Sequence, residues 1–212
     1  MKKAFGLLTI LLCAFTLCGC FASFDGARVH RGTRSTASLG MVKEQGTDNM
    51  LPTLFFGVRS GYVNKDNPYR NIEVGGLLEA FPGNNPFYFS WDEGGSDNHN
   101  EKKTGFQFNL DLKHQVMVNA PFDASLRLRT YIPWFYWPDI SLVVGKNIKG
   151  NDLYIEAGQN IWSFNALHNE GLNGITLVRC GARFPVSEQI AIVAEAGRSY
   201  GYYHAGLGVE LR

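Results

Sequence analysis

The stretch Phe106-Gln107-Phe108-Asn109-Leu110-Asp111-Leu112-Lys113 alternates a large apolar residue with a polar one at every step. Successive side chains of a β-strand point to opposite faces, so this period of two predicts a strand with one apolar and one polar face. The same alternation recurs at residues 126–129, 153–157 and 205–211. No window after the N-terminus has helical periodicity, and we therefore predict an all-β chain.

Ten candidate strands can be placed from residue 53 onward. They cover residues 53–63, 71–81, 87–92, 104–117, 124–132, 139–147, 152–162, 174–184, 189–198 and 202–212. Most have the length of roughly 9–11 residues that a tilted transmembrane strand needs, whereas strands of soluble sheets are usually shorter. We predict an up-and-down antiparallel β-barrel of about ten strands, or eight if residues 87–92 and one neighbour are loop.

The connections between these candidate strands differ in length. Residues 82–86, 119–123, 148–151 and 185–188 are short connections, and residues 64–70, 93–103, 133–138 and 163–173 are longer or richer ones. Short turns at one end and long loops at the other are typical of outer-membrane barrels. An even strand number also predicts that both termini lie at the same end.

The polar face of the strands carries charges of both signs. Seven residues are candidates for a network of ion pairs inside the barrel: Arg127, Arg129, Glu156, Arg179, Glu195, His204 and Glu210. A membrane barrel turns this face inward and its apolar face to lipid, whereas a soluble lipocalin-like barrel that binds an apolar ligand does the reverse. Charges arranged for mutual neutralisation favour the membrane barrel. The C-terminal residues 204–211 resemble the β-signal of outer-membrane barrels, although Arg212 stands where an aromatic residue is commonest.

The N-terminus has the organisation of a secretory signal. Lys2 and Lys3 precede an apolar stretch over residues 4–17 that is too short to cross a bilayer as a helix. Leu17-Cys18-Gly19-Cys20 resembles the bacterial lipobox. The resemblance implies cleavage before Cys20, a diacylglycerol thioether on its sulfur, and a fatty acyl chain such as palmitate on its amino group. Ordinary signal cleavage after Ala22 is the alternative.

These observations divide the chain into three parts. Residues 1–19 are the expected lipoprotein signal peptide, residues 20–52 a lipidated N-terminus and flexible tether that could hold a short plug or edge segment, and residues 53–212 the barrel domain. Cys20 and Cys180 are the cysteines that remain after cleavage, and acylation of Cys20 excludes an intrachain disulfide. The expected location is the outer membrane, with the chain anchored through Cys20.

Composition and motifs offer little support for catalysis or for a cofactor. A formal net charge of +1 argues against nucleic-acid binding. The five histidines have no metal-ligand spacing, so we expect neither metal nor cofactor. Ser199, His204 and Glu195 are the residue types of a hydrolase triad, but such types recur by chance in a polar lumen.

Two segments are faintly similar to lipid A-modifying barrels. Residues 131–133 with Pro138 and Ser141, together with residues 56–62, resemble parts of the lipid A palmitoyltransferase family, whose essential histidine would fall on Gly57. Residues 166–174 are similar to the active-site neighbourhood of lipid A deacylases, without the serine. An acyltransferase or deacylase is therefore the alternative function.

One aromatic cluster lies near a predicted strand end: Trp134, Phe135, Tyr136 and Trp137. Amphipathic rings of this kind form the interfacial girdle of membrane barrels, and they could also contact a lipid or a sugar. The leading expectation is an outer-membrane lipoprotein barrel with a structural, surface-interaction or narrow-pore role. Its expected partners are lipopolysaccharide or phospholipid and the barrel-assembly and lipoprotein-sorting machineries.

Overall fold

The computed structural model describes residues 25–44, 48, 50–82, 104–118, 121–132, 138–161, 177–199 and 202–212. These residues form ten strands and the 3-10 turn Pro68–Arg70. The strands are β1 (Gly32–Glu44), β2 (Met50–Tyr62), β3 (Ile72–Pro82), β4 (Thr104–Met117), β5 (Asp123–Ile132), β6 (Asp139–Ile148), β7 (Asn151–Asn160), β8 (Leu177–Pro185), β9 (Ile190–Ser199) and β10 (Tyr202–Leu211). Within this part of the chain, no helix is long and apolar enough to cross a membrane.

The ten strands form one closed antiparallel barrel in which each strand pairs with its neighbours in sequence. The ring is closed by β1 and β10, whose register runs from Ser35 opposite Leu211 to Glu44 opposite Tyr202. Closure leaves no strand edge unpaired, which removes the usual site of edge-to-edge aggregation. The predicted fold class and strand number are confirmed.

The identity of the ten strands differs from the prediction at the N-terminus. β1 and the start of β2 fall within residues 20–52, so the prediction of a flexible tether is wrong for this stretch. Candidate strand 87–92 lies outside the described residues, and β3 pairs directly with β4 without it. The prediction did not include β1, and it counted residues 87–92, which are not part of the ring. These two differences offset each other, so the predicted number of ten strands is correct.

Because β1 was not predicted, the connection between β2 and β3 lies at the opposite end of the barrel from the one predicted. Residues 63–71 join β2 to β3 at the same end as the connections over residues 118–122, 149–150 and 186–189. The prediction had placed residues 64–70 at the opposite end and 82–86 at this one. The start of β1 and the end of β10 lie at the same end as residues 63–71. Both termini of the barrel are therefore at the end with the shorter connections.

The two faces of the barrel wall have opposite polarity. Along β2, for example, the outward residues Leu54, Phe56 and Val58 are 47%, 51% and 55% exposed, and the inward residues Thr53, Phe55 and Arg59 are buried. The outward face of the other strands is likewise mostly Leu, Ile, Val and Phe. A soluble protein buries such residues, so this surface is apolar where a soluble barrel would be polar.

Residues 25–30, which we call the plug segment, precede β1 and lie within the barrel. Asp25, Ala27 and Val29 are 1%, 3% and 4% exposed. Ala27 packs with the inward side chains of Val143 and Tyr154. The segment therefore fills part of the lumen.

Candidate functional site

The lumen contains a dense set of buried charges. Its basic members are Arg34, Arg59, Lys113, Arg127, Arg129, Arg179 and Arg183, and its acidic members are Asp25, Glu73, Glu79, Asp111, Asp123, Asp139, Asp152, Glu156, Glu195 and Glu210; none is more than 7% exposed. An isolated buried charge is very costly, so such a lumen is stable only if its charges pair with one another.

Asp25 of the plug segment is at the centre of this network. Lys113 and Arg127 donate hydrogen bonds of 2.6 and 2.7 Å to its Oδ2, and Arg34 donates one of 3.2 Å to its Oδ1. The guanidinium of Arg59 lies 3.5 Å away. Burial raises the pKa of the Asp25 carboxyl, but these four cations outweigh it and hold that pKa well below the ordinary value. The carboxylate of Asp25 is thus a counter-charge shared by cations of β1, β2, β4 and β5.

The backbone of the plug segment is hydrogen-bonded by side chains of the wall. Lys113 donates to the carbonyl oxygens of Gly26 and Arg28, Ser125 donates to that of Ala27, Gln115 accepts from the amide of Val29, and Glu73 accepts from that of His30. A buried backbone group without a partner costs free energy, so these bonds allow a non-regular segment to lie inside the barrel.

A second cluster surrounds Glu156 of β7. Arg127 donates a 2.8 Å hydrogen bond to its Oε2, and Ser141 donates one of 2.6 Å to its Oε1. Arg179 and Arg129 lie 3.5 and 4.0 Å from its carboxylate oxygens. Because Arg127 contacts both Asp25 and Glu156, it connects the plug segment to this cluster.

Glu210 connects the network around the β1–β10 seam. Arg34 of β1 donates a 2.8 Å hydrogen bond to its Oε2, and Arg183 of β8 donates one of 2.9 Å to its Oε1. Arg34 also donates to Glu73 of β3. The ion pairs therefore run across strands that are far apart in sequence.

The candidate catalytic residues are only partly brought together. His204 Nε2 lies 3.0 Å from Glu195 Oε1, and the hydroxyl of Tyr154 donates to the other oxygen of Glu195. Ser199 Oγ is buried and has no hydrogen-bond partner among the described residues. In a catalytic triad the nucleophile is hydrogen-bonded to its base, and among the described residues Ser199 makes no such bond.

The structure places all seven candidate network residues inside the barrel: Arg127, Arg129, Glu156, Arg179, Glu195, His204 and Glu210. Cys20 and the aromatic residues Trp134, Phe135, Tyr136 and Trp137 lie outside the described residues. Among the residues that are described, no group of His, Cys, Asp and Glu could hold a metal ion.

Sequence reasoning did not identify Asp25 or Lys113 as site residues. Lys113 occupies a polar position of the alternating stretch in β4, so its inward orientation could have been inferred. Asp25 is the one acidic residue between Cys20 and Glu44, among five basic ones that include His30. Nothing in the sequence around Asp25 indicates which cations of the barrel wall it contacts.

No protein-family model and no curated protein matches the chain. Its fold is similar to solved structures of low sequence identity. They include a KdgM porin in complex with disordered oligogalacturonate (14% identity, TM-score 0.46, covering 84% of this chain and 98% of that one) and the outer membrane phospholipase A of Escherichia coli (9%, 0.42, 95% and 97%). A third is the S-type phycobiliprotein lyase CPES of Guillardia theta (10%, 0.40, 86% and 87%). At these levels of similarity the matches assign no function to the chain.

Proposed function

We propose that this protein is an outer-membrane β-barrel with a structural or surface-interaction role, whose lumen is closed in the resting state. The observation that carries the proposal is the polarity of the wall, with apolar side chains outward and paired charges inward. A soluble barrel for an apolar ligand needs an apolar interior, and the ion-pair network of the lumen argues against that alternative.

The ends of the barrel give its orientation within this proposal. Outer-membrane barrels have short turns on the periplasmic side and longer loops outside. Both chain ends then face the periplasm, where an acylated Cys20 enters the inner leaflet of the outer membrane. Asp25 follows Cys20 by five positions, so a fully extended link between them reaches at most about 17 Å at ~3.4 Å per residue.

The proposed partners follow from the same arrangement. Lipopolysaccharide and phospholipid contact the apolar wall, the barrel-assembly machinery inserts it, and the lipoprotein-sorting machinery delivers the acylated chain. We propose no catalysis, because Ser199 makes no hydrogen bond to a base within the part of the chain that the structure describes. Lipid A from cells with and without the protein should have the same mass spectrum; a difference of one acyl chain would favour the acyltransferase or deacylase alternative.

The membrane assignment can be tested by placing a charge on the outward face. Ile155 in the middle of β7 and Tyr69 in the 3-10 turn are 60% and 63% exposed. In a bilayer, Ile155→Arg should cost about 2–4 kcal/mol and lower the temperature at which the compact form on an unboiled gel is lost. Tyr69→Arg should leave that temperature unchanged.

The same two variants also distinguish a membrane barrel from a soluble one. A soluble barrel exposes both side chains to water, where surface substitutions usually change stability by less than about 0.5 kcal/mol. Equal melting of the two variants, together with a chain from residue 21 that stays monodisperse without detergent, would contradict the proposal.

A further inference from the structure

The contacts of the plug segment are those of a bound peptide. The hydrogen bonds of its backbone come from side chains on β3, β4 and β5, and not from pairing with a strand. Its one carboxylate is held by four cations of the wall. Side chains that converge on both the backbone and the charge of a segment form a recognition site for that segment.

Two glycines of the barrel wall, Gly61 and Gly145, leave space for the plug segment. A Cβ atom built on Gly61 would overlap the carbonyl oxygen of His30, and its three nearest atoms all belong to His30 and Val29. A Cβ atom on Gly145 would lie 2.7 Å from the carbonyl oxygen of Leu153 in the wall and 3.1 Å from the Cβ of Ala27 in the segment. Glycine at these inward positions lets the segment approach the strands closely.

Removal of the segment would change the electrostatics of the lumen. Lys113, Arg127, Arg34 and Arg59 would lose a shared counter-charge, and buried cations that lose a partner must either move apart or be hydrated. The volume that Ala27 and Val29 occupy would be available to water. Hydration of the lumen is the condition for ion conduction.

We propose that the barrel is a pore held shut by its own plug segment, which binds in the lumen as a peptide ligand and can be replaced by the same peptide added in trans. The inference rests on the proposed membrane location, and it adds a conducting state and a peptide-binding site to the structural role.

The first experiment compares currents across planar bilayers. The mature chain and a chain beginning at Arg31 are refolded in detergent, and an unboiled gel records the fraction of each that is folded. We expect a steady current from the shortened chain and none from the mature chain. A folded, inserted shortened chain that passes no current, or a mature chain that passes an equal current, would overturn the inference. A mature chain that never enters a bilayer would contradict the membrane proposal instead.

The second experiment tests recognition. The hexapeptide Asp-Gly-Ala-Arg-Val-His, which has the sequence of residues 25–30, is added to the shortened chain. We expect it to block the current, and we expect the same peptide carrying Asp25→Asn to need at least about a tenfold higher concentration, because it lacks the charge that the four cations bind. Equal block by both peptides, or no block by either, would overturn the peptide site.

A third variant keeps the inference testable if the shortened chain does not fold. Gly61→Ala in the mature chain places a methyl group against the plug segment, whereas Gly57→Ala, on the same strand and facing inward, places one against Leu77 of the wall at 3.2 Å. Gly61→Ala should produce openings that Gly57→Ala does not. If both full-length variants fold and remain silent, the plug segment does not gate the lumen.

Discussion

Lys113 Nζ lies 2.6 Å from Oδ2 of Asp25, and both side chains are completely buried although 88 positions separate them in the chain. The pair joins the segment before the first strand to the fourth strand. Its stability depends on the other charges of the network, because a lone ion pair in a dry interior gains little over its desolvation cost. The plug segment and the wall are therefore parts of one electrostatic unit.

Neutralising the centre of that unit should destabilise the whole barrel. Asp25→Asn leaves Lys113, Arg127 and Arg34 with fewer counter-charges, and breaking a buried pair in this way typically costs about 3–5 kcal/mol. We expect the compact form on unboiled gels to be lost at a clearly lower temperature. Asp48→Asn is the control, since its carboxylate contacts Lys43 but is fully exposed. Equal melting of the two variants would argue that Asp25 has no role in holding the segment.

Reversal of charge at Glu156 should act on the second cluster. Glu156→Lys places a further cation beside Arg127, Arg129 and Arg179, which lie within 2.8 to 4.0 Å of the carboxylate oxygens. We expect a large fall in the unfolding temperature in detergent. Lys65→Glu, in the exposed connection after β2, is the control, because surface charges contribute about 0–1 kcal/mol. If Glu156→Lys instead melts normally and only alters ion selectivity, the lumen is hydrated and wide.

The part of the fold that sequence reasoning located well is the part with strict alternation. In β4, the outward residues Phe108, Leu110 and Leu112 alternate with buried polar ones, so both the strand and its faces follow from the pattern. The seven candidate lumen residues lie on β5 and on β7 to β10, where the same reasoning holds. Position along such a strand determines which face a side chain occupies.

The sequence pattern did not predict β1 because its two faces differ little in polarity. Its outward side begins with Thr33, Ser35 and Ala37, and its inward side includes Thr36 and Ser38. Small polar residues on both faces remove the contrast that a period of two requires. Pairing with β2 and β10 determines this strand, and those contacts are remote in sequence.

A short plug within residues 20–52 was one possibility that the sequence allowed, but its position and partners could not be predicted, for a different reason. It has no regular structure, and its hydrogen bonds come from Lys113, Ser125, Gln115 and Glu73, which are far from it in sequence. No local pattern of residues 25–30 encodes those partners. A segment recognised through tertiary contacts cannot be placed by periodicity.

His30 should make the stability of the closed barrel depend on pH. Burial lowers the pKa of His30 well below its ordinary value, and the charges of Arg34 and Lys113 lower it further while Asp25 opposes them. Arg212 donates to Nδ1 at 3.2 Å, which requires that this nitrogen carry no proton. The carboxylate of Asp152, 3.6 Å from Nε2, favours the protonated form but does not reverse the shift. The folded chain therefore keeps His30 neutral under conditions in which the unfolded chain protonates it.

The sign of the effect follows from this difference. Below a pH of about 6.5 the unfolded state binds more protons, so the free energy of unfolding falls as the pH falls, by up to about 1.4 kcal/mol per pH unit. Thermal unfolding at pH 7.5 and 5.5 should show a larger loss for the native chain than for His30→Asn. His114→Asn, on the outward face of β4, should retain the native difference. If His30→Asn loses as much stability between pH 7.5 and 5.5 as the native chain does, groups other than His30 cause the effect.

Cys20 provides the last test, because the proposed lipid anchor and the plug segment are close in sequence. We expect mass spectrometry of the mature N-terminal peptide to show acylated Cys20, and Cys20→Ala to lose that mass while the barrel still folds, since the contacts of residues 25–30 do not involve the lipid. Asp25→Asn is the complementary control: it should keep the acyl chains and lose stability. An unmodified N-terminus at Ser23 in the native protein would mean that ordinary signal cleavage, and not acylation, releases the chain.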